Sequence, residues 1–395
     1  MQRLIFYGII VAFVVLLFLL IDVVIYWTLR IFLPKVTAHL VNRVILCLMF
    51  LTAGIAFVVG HYITRHQIVV NEVQIVSPRV PEAFDGYRIA QISDLHLDSF
   101  GKEEGRTFIK KLAESLAATR PDVIVFTGDL VTLRSAEAIP FKQALAEIAS
   151  IQRHDGKGLV PVYSILGNHD YADYVRGFDQ QRRNTDIDSL ILIQEEAGWH
   201  MLKNNCVTLS SPLNDSVSQY IALIGVENIG EPPFSTYGDL DRAMTPIGGI
   251  HAADSLFSVL LTHNPTHWRK EVLPRTHIDL SLAGHTHATQ LRVGSWSPAK
   301  WKYDEWMGLY DASHRSDAPS LPYPEYQEGN PQYLYVNTGI GCVGPRVRIG
   351  VPPEISVLVL TSGPIANRPV EQWWRCCNVD AQVYPLHYPY LLPFQ

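Results

Sequence analysis

The chain has 395 residues, of which 48% are hydrophobic and 18% are charged, and its formal net charge is −6 at pH 7. This length accommodates one large domain or two modest ones. A mildly acidic chain without a basic block is not typical of a nucleic-acid-binding protein, so no nucleic-acid partner is expected. The five cysteines have neither zinc-ligand nor redox-motif spacing and indicate no disulfide framework.

Two long apolar runs begin the chain. Residues 4–21 carry no charge, the run resumes after Asp22 as far as residue 29, and a second uncharged run covers residues 44–60. Because a helix crosses the hydrocarbon core of a bilayer with about 20 apolar residues, both runs qualify as transmembrane helices. A cleaved signal peptide followed by a buried core helix is the alternative, but the first run exceeds the usual apolar region of a signal. Residues 1–66 are therefore predicted to be a two-helix membrane anchor.

Charges flanking the two runs bear on orientation. The loop between them carries Arg30, Lys35 and Arg43, whereas Arg3 precedes the first run and Arg65 follows the second. The positive-inside rule then places the loop in the cytoplasm and the C-terminal bulk of the chain outside it. Asp22 near the end of the first run is either a functional intramembrane acid or a locally paired carboxylate, and the latter is the favoured interpretation.

Strand-like and helix-like segments alternate after the anchor, as expected of an α/β layered domain, predicted here over residues 67–365. The first half is predicted to hold strands at 87–93, 122–127 and 160–166 and helices at 107–119 and 141–151. Five later strands, with fewer helices between them, indicate a second and more mixed sheet: 220–225, 258–261, 278–282, 333–336 and 355–360.

Two segments have no clear periodic pattern. Residues 294–331, rich in Trp, Tyr, Pro and Ser, are interpreted as a long excursion over the surface. Residues 366–395 form an aromatic, proline-rich tail, for which an interfacial membrane contact, a packing arm and disorder all remain open.

Five short polar motifs follow five of the predicted strands. In chain order they are Asp94-Leu95-His96, Gly128-Asp129, Gly167-Asn168-His169-Asp170, His263-Asn264-Pro265 and Gly284-His285-Thr286-His287. Residues two apart in an extended segment project to the same side, so the two side chains of each Asp-x-His or His-x-His pair can coordinate one ion. In α/β sheets such groups gather at the carboxyl ends of the strands, where the loops converge.

The chemistry of these side chains favours metal binding. A mixed nitrogen and oxygen donor set without thiolate suits iron, manganese or zinc. With about seven donors available, two ions are a more economical solution than one, and a pair of metals clamps the attacking and leaving oxygens of an in-line displacement at phosphorus. Taken singly, each motif has an ordinary structural explanation as a turn, a cap or a hydrogen-bonded pair. All five in this order, each at a strand end, predict a two-metal site.

This order of motifs resembles that of the calcineurin-like metallophosphoesterases over about residues 88–361. SDLHLD, GNHDY, GIGCVGP and VPPEI resemble a bacterial, often membrane-attached branch of that family, some members of which cleave the pyrophosphate bond of UDP-diacylglucosamine. The resemblance implies a four-layer sandwich of two mixed β-sheets flanked by helices. With the anchor, it places the protein in the bacterial inner (cytoplasmic) membrane, with the catalytic domain outside the cytoplasm.

The resemblance also implies a role for each residue. Asp94, His96 and His287 would hold the first metal; Asn168, His263 and His285 would hold the second; Asp129 would bridge both. His169 would stabilise phosphoryl charge or protonate the leaving oxygen, with Asp170 orienting its ring. One departure from the branch is that Ala288 and Thr289 stand where two glycines are usual, which puts substrate identity in doubt because added side chains there could narrow the pocket.

The expected function is metal-dependent hydrolysis of a phosphoester or pyrophosphate bond by a metal-bridging hydroxide, in a lipid-linked or membrane-near substrate. Hydrolysis of soluble nucleotides or diesters is one alternative, and a non-catalytic metal-binding scaffold is another. Arg346 and Arg348 are candidate phosphate binders, with a solvated edge-strand pair as the equally weighted alternative, and Glu354 is predicted to be structural. The sequence does not predict an oligomeric state.

Overall fold

The computed structural model describes residues 2–210, 219–232, 235–312, 331–363, 372–376 and 384–385. Its helices are α1 (Gln2–Phe32), α2 (Lys35–Tyr62), α3 (Lys102–Ala118), α4 (Lys142–Ala149), α5 (Gln180–Glu196), α6 (Leu240–Met244) and α7 (Leu273–Arg275). The predicted helices 107–119 and 141–151 correspond to α3 and α4. The sequence interpretation did not include α5.

The first sheet contains eight strands in the order β14-β13-β1-β12-β2-β3-β4-β5. Their bounds are β1 (Val69–Ser77), β2 (Arg88–Ile92), β3 (Val123–Phe126), β4 (Val162–Ser164), β5 (Trp199–Met201), β12 (Glu354–Ser362), β13 (Gln372–Cys376) and β14 (Tyr384–Pro385). β2 to β5 run parallel, whereas β12 pairs antiparallel with β2 and parallel with β1. The sheet is therefore mixed.

The second sheet contains six strands in the order β10-β11-β9-β8-β7-β6. They are β6 (Asn205–Ser210), β7 (Tyr220–Gly225), β8 (Ser258–Leu261), β9 (Leu280–Ala283), β10 (Gly308–Asp311) and β11 (Tyr333–Val336). The four central strands are parallel and both edges are antiparallel. This second mixed sheet confirms the one expected from the later strands.

The two sheets pack face to face, and helices cover their outer faces. On β3, Val123 and Val125 belong to the core between the sheets, while Ile124 and Phe126 belong to the core under α3, α4 and α5. On β8, Leu260 likewise turns away from the inter-sheet core toward α6 and the π-helix Trp268–Val272. Strands buried on both faces are continuously apolar rather than alternating, which explains runs such as DVIVFT. The predicted four-layer sandwich is confirmed.

The N-terminal helices form an apolar hairpin. Segments Val15–Phe32 and Lys35–His66 are long and apolar enough to cross a membrane, and none of the residues of the first is buried in the rest of the protein. Asn42 Nδ2 donates to Asp22 Oδ1 over 2.7 Å. Asp22 is thus the locally paired carboxylate that was favoured over a functional acid.

Two sequence interpretations need revision or extension. Residues 294–331 are not simply a surface excursion, because Ala299, Trp306 and Met307 are buried in a small apolar cluster with Ala288 and Val351. In the segment predicted as a separate tail, β13 pairs antiparallel with β1 and β14 with β13. The other residues of 366–395, like residues 313–330, lie outside the described part of the chain.

Glu354, at the start of β12, is the centre of a buried polar network between the sheets. Its Oε1 accepts from Tyr335 at 2.5 Å and from Ser356 at 2.8 Å, and its Oε2 accepts from the Thr338 hydroxyl at 2.7 Å. The side chain is 1% exposed. Because buried hydroxyls that lose their acceptor are costly, this carboxylate stabilises the contact between β11 and β12.

We expect Glu354→Ala to lower the free energy of unfolding by about 3 kcal/mol, because three buried hydroxyls and the backbone N–H of Thr338 lose their acceptor. Thermal unfolding of the purified protein would measure the change. Glu114→Ala, which removes an exposed glutamate from α3, is the control and should have little effect. Equal melting temperatures for the two variants would contradict the structural role.

Candidate metal centre

The carboxyl ends of five strands meet at one edge of the sandwich. β2, β3 and β4 come from the first sheet, and β8 and β9 come from the second. The nine predicted site residues follow these strands directly: Asp94, His96, Asp129, Asn168, His169, Asp170, His263, His285 and His287. Parallel strands within each sheet bring their ends to the same side, and the face-to-face packing joins the two sets.

Asp94, His96 and His287 form one compact group of potential ligands, whose donor atoms all lie within 4.8 Å of one another. His287 Nε2 is 3.2 Å from Asp94 Oδ1, and His96 Nε2 is 3.9 Å from the same oxygen. All three side chains are buried. The group therefore combines one carboxylate from the first sheet with histidines from both.

Asp129, His263 and His285 form the second group. Asn168 joins it, since its Oδ1 is 3.0 Å from His263 Nε2 and 2.8 Å from His285 Nδ1. The Asn168 amide nitrogen donates to the hydroxyl of Tyr174 at 2.9 Å, which directs the amide oxygen toward the two histidines. Three nitrogen or oxygen atoms thus converge on one point.

Asp129 lies between the two groups. Its Oδ2 is 3.5 Å from His96 Nε2 and 3.1 Å from His263 Nε2, so one oxygen faces a ring nitrogen of each group. Its Oδ1 accepts the backbone N–H of His169 at 2.8 Å, which fixes the rotation of the carboxylate. One carboxylate oxygen of Asp129 thus lies within 3.5 Å of a potential donor atom in each group.

Two buried nitrogens in the centre have no hydrogen-bond partner among the residues that the structure describes. They are His96 Nε2 and His287 Nε2, and both face the carboxylates described above. A buried polar atom without a partner is costly, and metal coordination is a common way of satisfying it. Together with a donor set of imidazole, carboxylate and amide oxygen, these two atoms fit divalent metal ions.

The opposite nitrogen of several rings is held by the protein. His96 Nδ1 lies 3.0 Å from Thr132 Oγ1, His263 Nδ1 donates to the Thr127 carbonyl at 2.8 Å, and His285 Nε2 lies 3.0 Å from the Tyr303 hydroxyl. Such outer contacts set the tautomer and the orientation of a metal-binding imidazole. They leave Nε2 of His96 and His263, and Nδ1 of His285, for the centre.

The expectation that Asp170 orients the His169 ring is wrong. Asp170 Oδ2 accepts from the backbone N–H groups of Asp129 and Gly167, and Oδ1 accepts from those of Leu130 and Val131. The Asp170 carboxylate thus accepts four backbone amide hydrogen bonds. The His169 ring is held by Thr132 instead, because its Nδ1 donates to the Thr132 carbonyl at 2.7 Å. Asp170 instead ties the loop after β4 to the loop after β3.

Several backbone positions in the centre are strained. Asp94, His96, Asp129, His285 and His287 all have positive φ, between 38° and 72°. Non-glycine residues adopt this region at a cost, and such residues cluster at functional sites. The space beside Gly167 is also restricted, because a Cβ there would lie 2.2 Å from Asp129 Oδ1. This position is therefore suited to glycine.

Ala288 and Thr289 also have left-handed φ values, 46° and 51°. This explains why glycine is suited to both positions. The Ala288 methyl is fully buried against Ala299 and Trp306, and the Thr289 hydroxyl donates to the Ala288 carbonyl. The added methyl of Ala288 and the hydroxyl of Thr289 thus both contact other parts of the chain.

Arg348 fits neither sequence interpretation, because it is 0% exposed and is thus neither a solvated surface residue nor available to a substrate. Its guanidinium donates to the carbonyls of Thr338, Gly341 and Val351. Nη2 also lies 3.3 Å from His287 Nδ1. Arg346 donates to the Asp98 carbonyl instead of pointing into the centre.

The electrostatics of the centre shift the pKa values of His263 and His285 in opposite directions. Burial by itself would lower the pKa of His263, but the Asp129 carboxylate, the charge on Asp94 and the hydrogen bond to the Thr127 carbonyl together raise the pKa to about 9. Burial, reinforced by the charge on His263, lowers the pKa of His285 to about 3. Burial opposes ionisation of Asp129, yet the surrounding histidines hold its pKa well below the usual value.

Comparison with known proteins decides the family. The model of the calcineurin-like phosphoesterase family matches residues 87–289, which contain all five motifs. The chain is also 30% identical over 321 residues to the metallophosphoesterase YkuE of Bacillus subtilis, covering 79% of this chain and 92% of the relative.

The chain belongs to the calcineurin-like phosphoesterases. It is an enzyme of this family of dinuclear, metal-dependent phosphohydrolases.

Two further relatives show how the family domain is combined with membrane segments and with lipid chemistry. A bovine transmembrane protein with a metallophosphoesterase domain is 25% identical over 335 residues, covering 83% of this chain but only 64% of the bovine one. The UDP-2,3-diacylglucosamine pyrophosphatase LpxG of Chlamydia muridarum is 25% identical over 322 residues, covering 71% of this chain and 86% of the relative.

Sequence analysis missed the contacts that four residues make with the candidate ligands: Thr132, Tyr174, Tyr303 and Arg348. These contacts, with the candidate ligands or with His169, join residues 6 to 61 positions apart along the chain. The SDLHLD and GNHDY motifs give no signal for them. Tyr303 was the least accessible to sequence reasoning, because it lies in the segment taken as a surface excursion.

Metal affinity of the metal-free phosphoesterase should rise with pH. At neutral pH a proton occupies His263, whose pKa is about 9, and a metal must displace it to use the ring nitrogen. Mass action then gives about a tenfold gain in affinity per pH unit below that pKa. Calorimetric titration with Mn²⁺ between pH 6.5 and 8.5 measures this, and an affinity that is flat across the range would contradict it.

Proposed function

We propose that this phosphoesterase hydrolyses a phosphoester or pyrophosphate bond in a lipid-linked or membrane-near substrate. The observation that carries the proposal is the pair of ligand groups joined by Asp129, in a domain whose N-terminal helices are long and apolar enough to span a membrane. Lipid-linked chemistry is supported by the likeness to LpxG, a pyrophosphatase of UDP-2,3-diacylglucosamine.

We propose the following ligand sets. Asp94, His96 and His287 hold one ion; Asn168, His263 and His285 hold the other; Asp129 bridges them. Manganese, iron and zinc all suit these donors. When bound, the two ions supply a water of lowered pKa and neutralise charge that grows on the phosphoryl oxygens.

The role proposed for His169 rests on its position. Its ring centre lies 5.0 Å from that of His96 and 4.7 Å from that of Tyr174, at the rim of the centre. Because Nδ1 donates to the Thr132 carbonyl, the other ring nitrogen is the one that can offer a proton or hydrogen bond to substrate. Thr132 and not Asp170 sets the orientation of this group.

A matched pair of substitutions separates the two roles. Asp129→Asn weakens the ligand shared by both groups and should abolish both metal binding and turnover. His169→Ala removes a group that is not a ligand and should keep the metal content while slowing turnover about 10²–10⁴-fold.

Metal content by mass spectrometry and hydrolysis of bis-p-nitrophenyl phosphate, p-nitrophenyl phosphate and a UDP-linked diacyl sugar would be measured together. Equal metal loss in both variants would refute the division of roles. A preference for the soluble diester over the lipid-linked substrate would favour the alternative of a soluble phosphodiesterase.

We propose that the protein lies in a bacterial inner membrane with its catalytic domain outside the cytoplasm. The positive charges of Arg30, Lys35 and Arg43 in the loop between the helices support this orientation. Lys157 lies in an exposed turn of the catalytic domain, so a membrane-impermeant maleimide should label Lys157→Cys in intact spheroplasts. Labelling only after lysis would place the domain in the cytoplasm.

A further inference from the structure

We propose that an apolar groove between α2 and the loop that follows the metal centre binds an acyl chain of the substrate. The groove has a volume of about 370 Å³ and is lined by Thr52, Ile55, Ala56, Val59, Gly60, Thr64, Ile349 and Gly350. Its volume lies within the range of ligand sites in proteins. The inference rests on the proposed function for the phosphate end of that substrate, and it adds a site for the apolar end.

The groove runs from the catalytic domain into the membrane-spanning part of the chain. Thr52 and Gly60 are eight residues apart on α2, which corresponds to about 12 Å along the helix axis. Both lie within Lys35–His66, the segment apolar enough to cross a bilayer. A ligand in the groove would therefore extend from the domain surface toward the hydrocarbon core.

The chemistry of the walls favours a hydrocarbon chain. Ile55, Ala56 and Val59 present only apolar side chains. The Thr52 hydroxyl donates to the Leu48 and Met49 carbonyls of its own helix, so its hydrogen bond is already satisfied. An apolar groove with satisfied polar atoms, open to lipid, is matched by an acyl chain and not by a sugar or nucleotide.

The catalytic wall of the groove is in direct contact with α2. A Cβ on Gly60 would lie 2.8 Å from Val347 Cγ1 and 3.0 Å from the Arg348 carbonyl, so glycine permits the close approach. The Arg348 N–H donates to the Gly60 carbonyl, and His61 Nδ1 lies 2.7 Å from the Arg346 carbonyl. The hairpin is thus docked on the catalytic domain at the mouth of the groove.

That mouth lies close to a proposed metal ligand. Ile349 lines the groove, and its N–H donates to the carbonyl of Gln290, which follows His287 by three residues. Arg348, the neighbour of Ile349, contacts His287 through Nη2 at 3.3 Å. A lipid whose chain enters the groove would therefore have its phosphate on the metal-centre side of this loop.

An exposed aromatic turn flanks the same loop. Trp301 is 78% exposed and Val293 is 65% exposed, and the rings of Trp296 and Trp301 meet edge to face at 5.6 Å. The turn is attached to the groove wall, because Arg292 N donates to the Ile349 carbonyl and Arg292 Nε to that of Gly350. Exposed tryptophans are typical of the membrane–water interface, which supports a bilayer surface at this end of the domain.

The test uses two diesters with the same leaving group, p-nitrophenyl hexadecyl phosphate and p-nitrophenyl ethyl phosphate. The full-length protein would be loaded with manganese and assayed in nanodiscs. Ala56→Phe fills the groove, and Val58→Phe adds the same ring to an exposed position of α2 outside it. We expect Ala56→Phe to raise KM for the hexadecyl diester at least about tenfold and to leave kcat/KM for the ethyl diester within about twofold. Val58→Phe should change neither KM for the hexadecyl diester nor kcat/KM for the ethyl diester. Equal effects of the two variants would contradict acyl-chain binding in the groove.

A second measurement does not depend on activity. A diazirine-bearing hexadecyl phosphate, photolysed in the same nanodiscs, should crosslink to residues 52–64 and 349–350 of the wild type and of Val58→Phe, and not of Ala56→Phe. Crosslinks spread evenly over α1 and the outer face of α2 would overturn the groove and leave the proposed function standing. If the wild type hydrolysed neither diester, the result would count against the proposed function. The crosslink map would still show whether the groove binds an acyl chain.

Discussion

The structure depends on burying two carboxylates, Asp94 and Asp129, among histidines at the junction of two sheets. An ionised carboxylate taken out of water costs several kcal/mol unless it is paired and hydrogen-bonded. Here the pairing comes from His287 and His263 in the second sheet, and the hydrogen bonds come from backbone N–H groups of His285 and His169. The loops can take this shape only if the two sheets pack face to face, because the first sheet supplies the two carboxylates and the second supplies His263 and His287. The proposed ions would replace a proton on His263 and satisfy the unpartnered nitrogens of His96 and His287.

The rest of the edge is built to keep those loops together. Asp170 binds four backbone amides and joins the loops after β3 and β4, while Arg348 binds three carbonyls and joins the 338–341 loop to His287. Close approach requires glycine at Gly284, where a Cβ would lie 2.0 Å from Ser93 Oγ. These residues contact backbone groups and His287, and they hold the loops that carry the candidate ligands in place. Positions of this kind are typical of sites whose strained backbone is offset by many surrounding contacts.

The N-terminal helix hairpin also contacts the loops around the centre. Gly60 and His61 on α2 contact residues 346–348, and this loop carries Arg348 to the centre. For the proposed lipid-linked substrate, a helix docked so close to the candidate ligands would set the distance between the reacting phosphate and the bilayer. That phosphate would lie at the polar boundary while the acyl chains remain in hydrocarbon.

Local patterns in the amino-acid sequence were enough to predict the layered fold and the positions of the candidate ligands along the chain. Continuous apolar strands such as β3 have a local signature, and Asp94, Asp129, His263 and His285 each follow a strand within a few residues. The family match over residues 87–289 agrees with this. Only the tertiary structure decided which partner each side chain meets. Asp170 and His169 are adjacent in sequence, yet one turns to backbone amides and the other to the Thr132 carbonyl. Tyr303 and Arg348 reach the ligands from distant segments, and β1 pairs with strands about 280 to 300 residues away. Such contacts depend on how separate segments pack in three dimensions, so they cannot be predicted from local patterns of hydrophobicity and spacing.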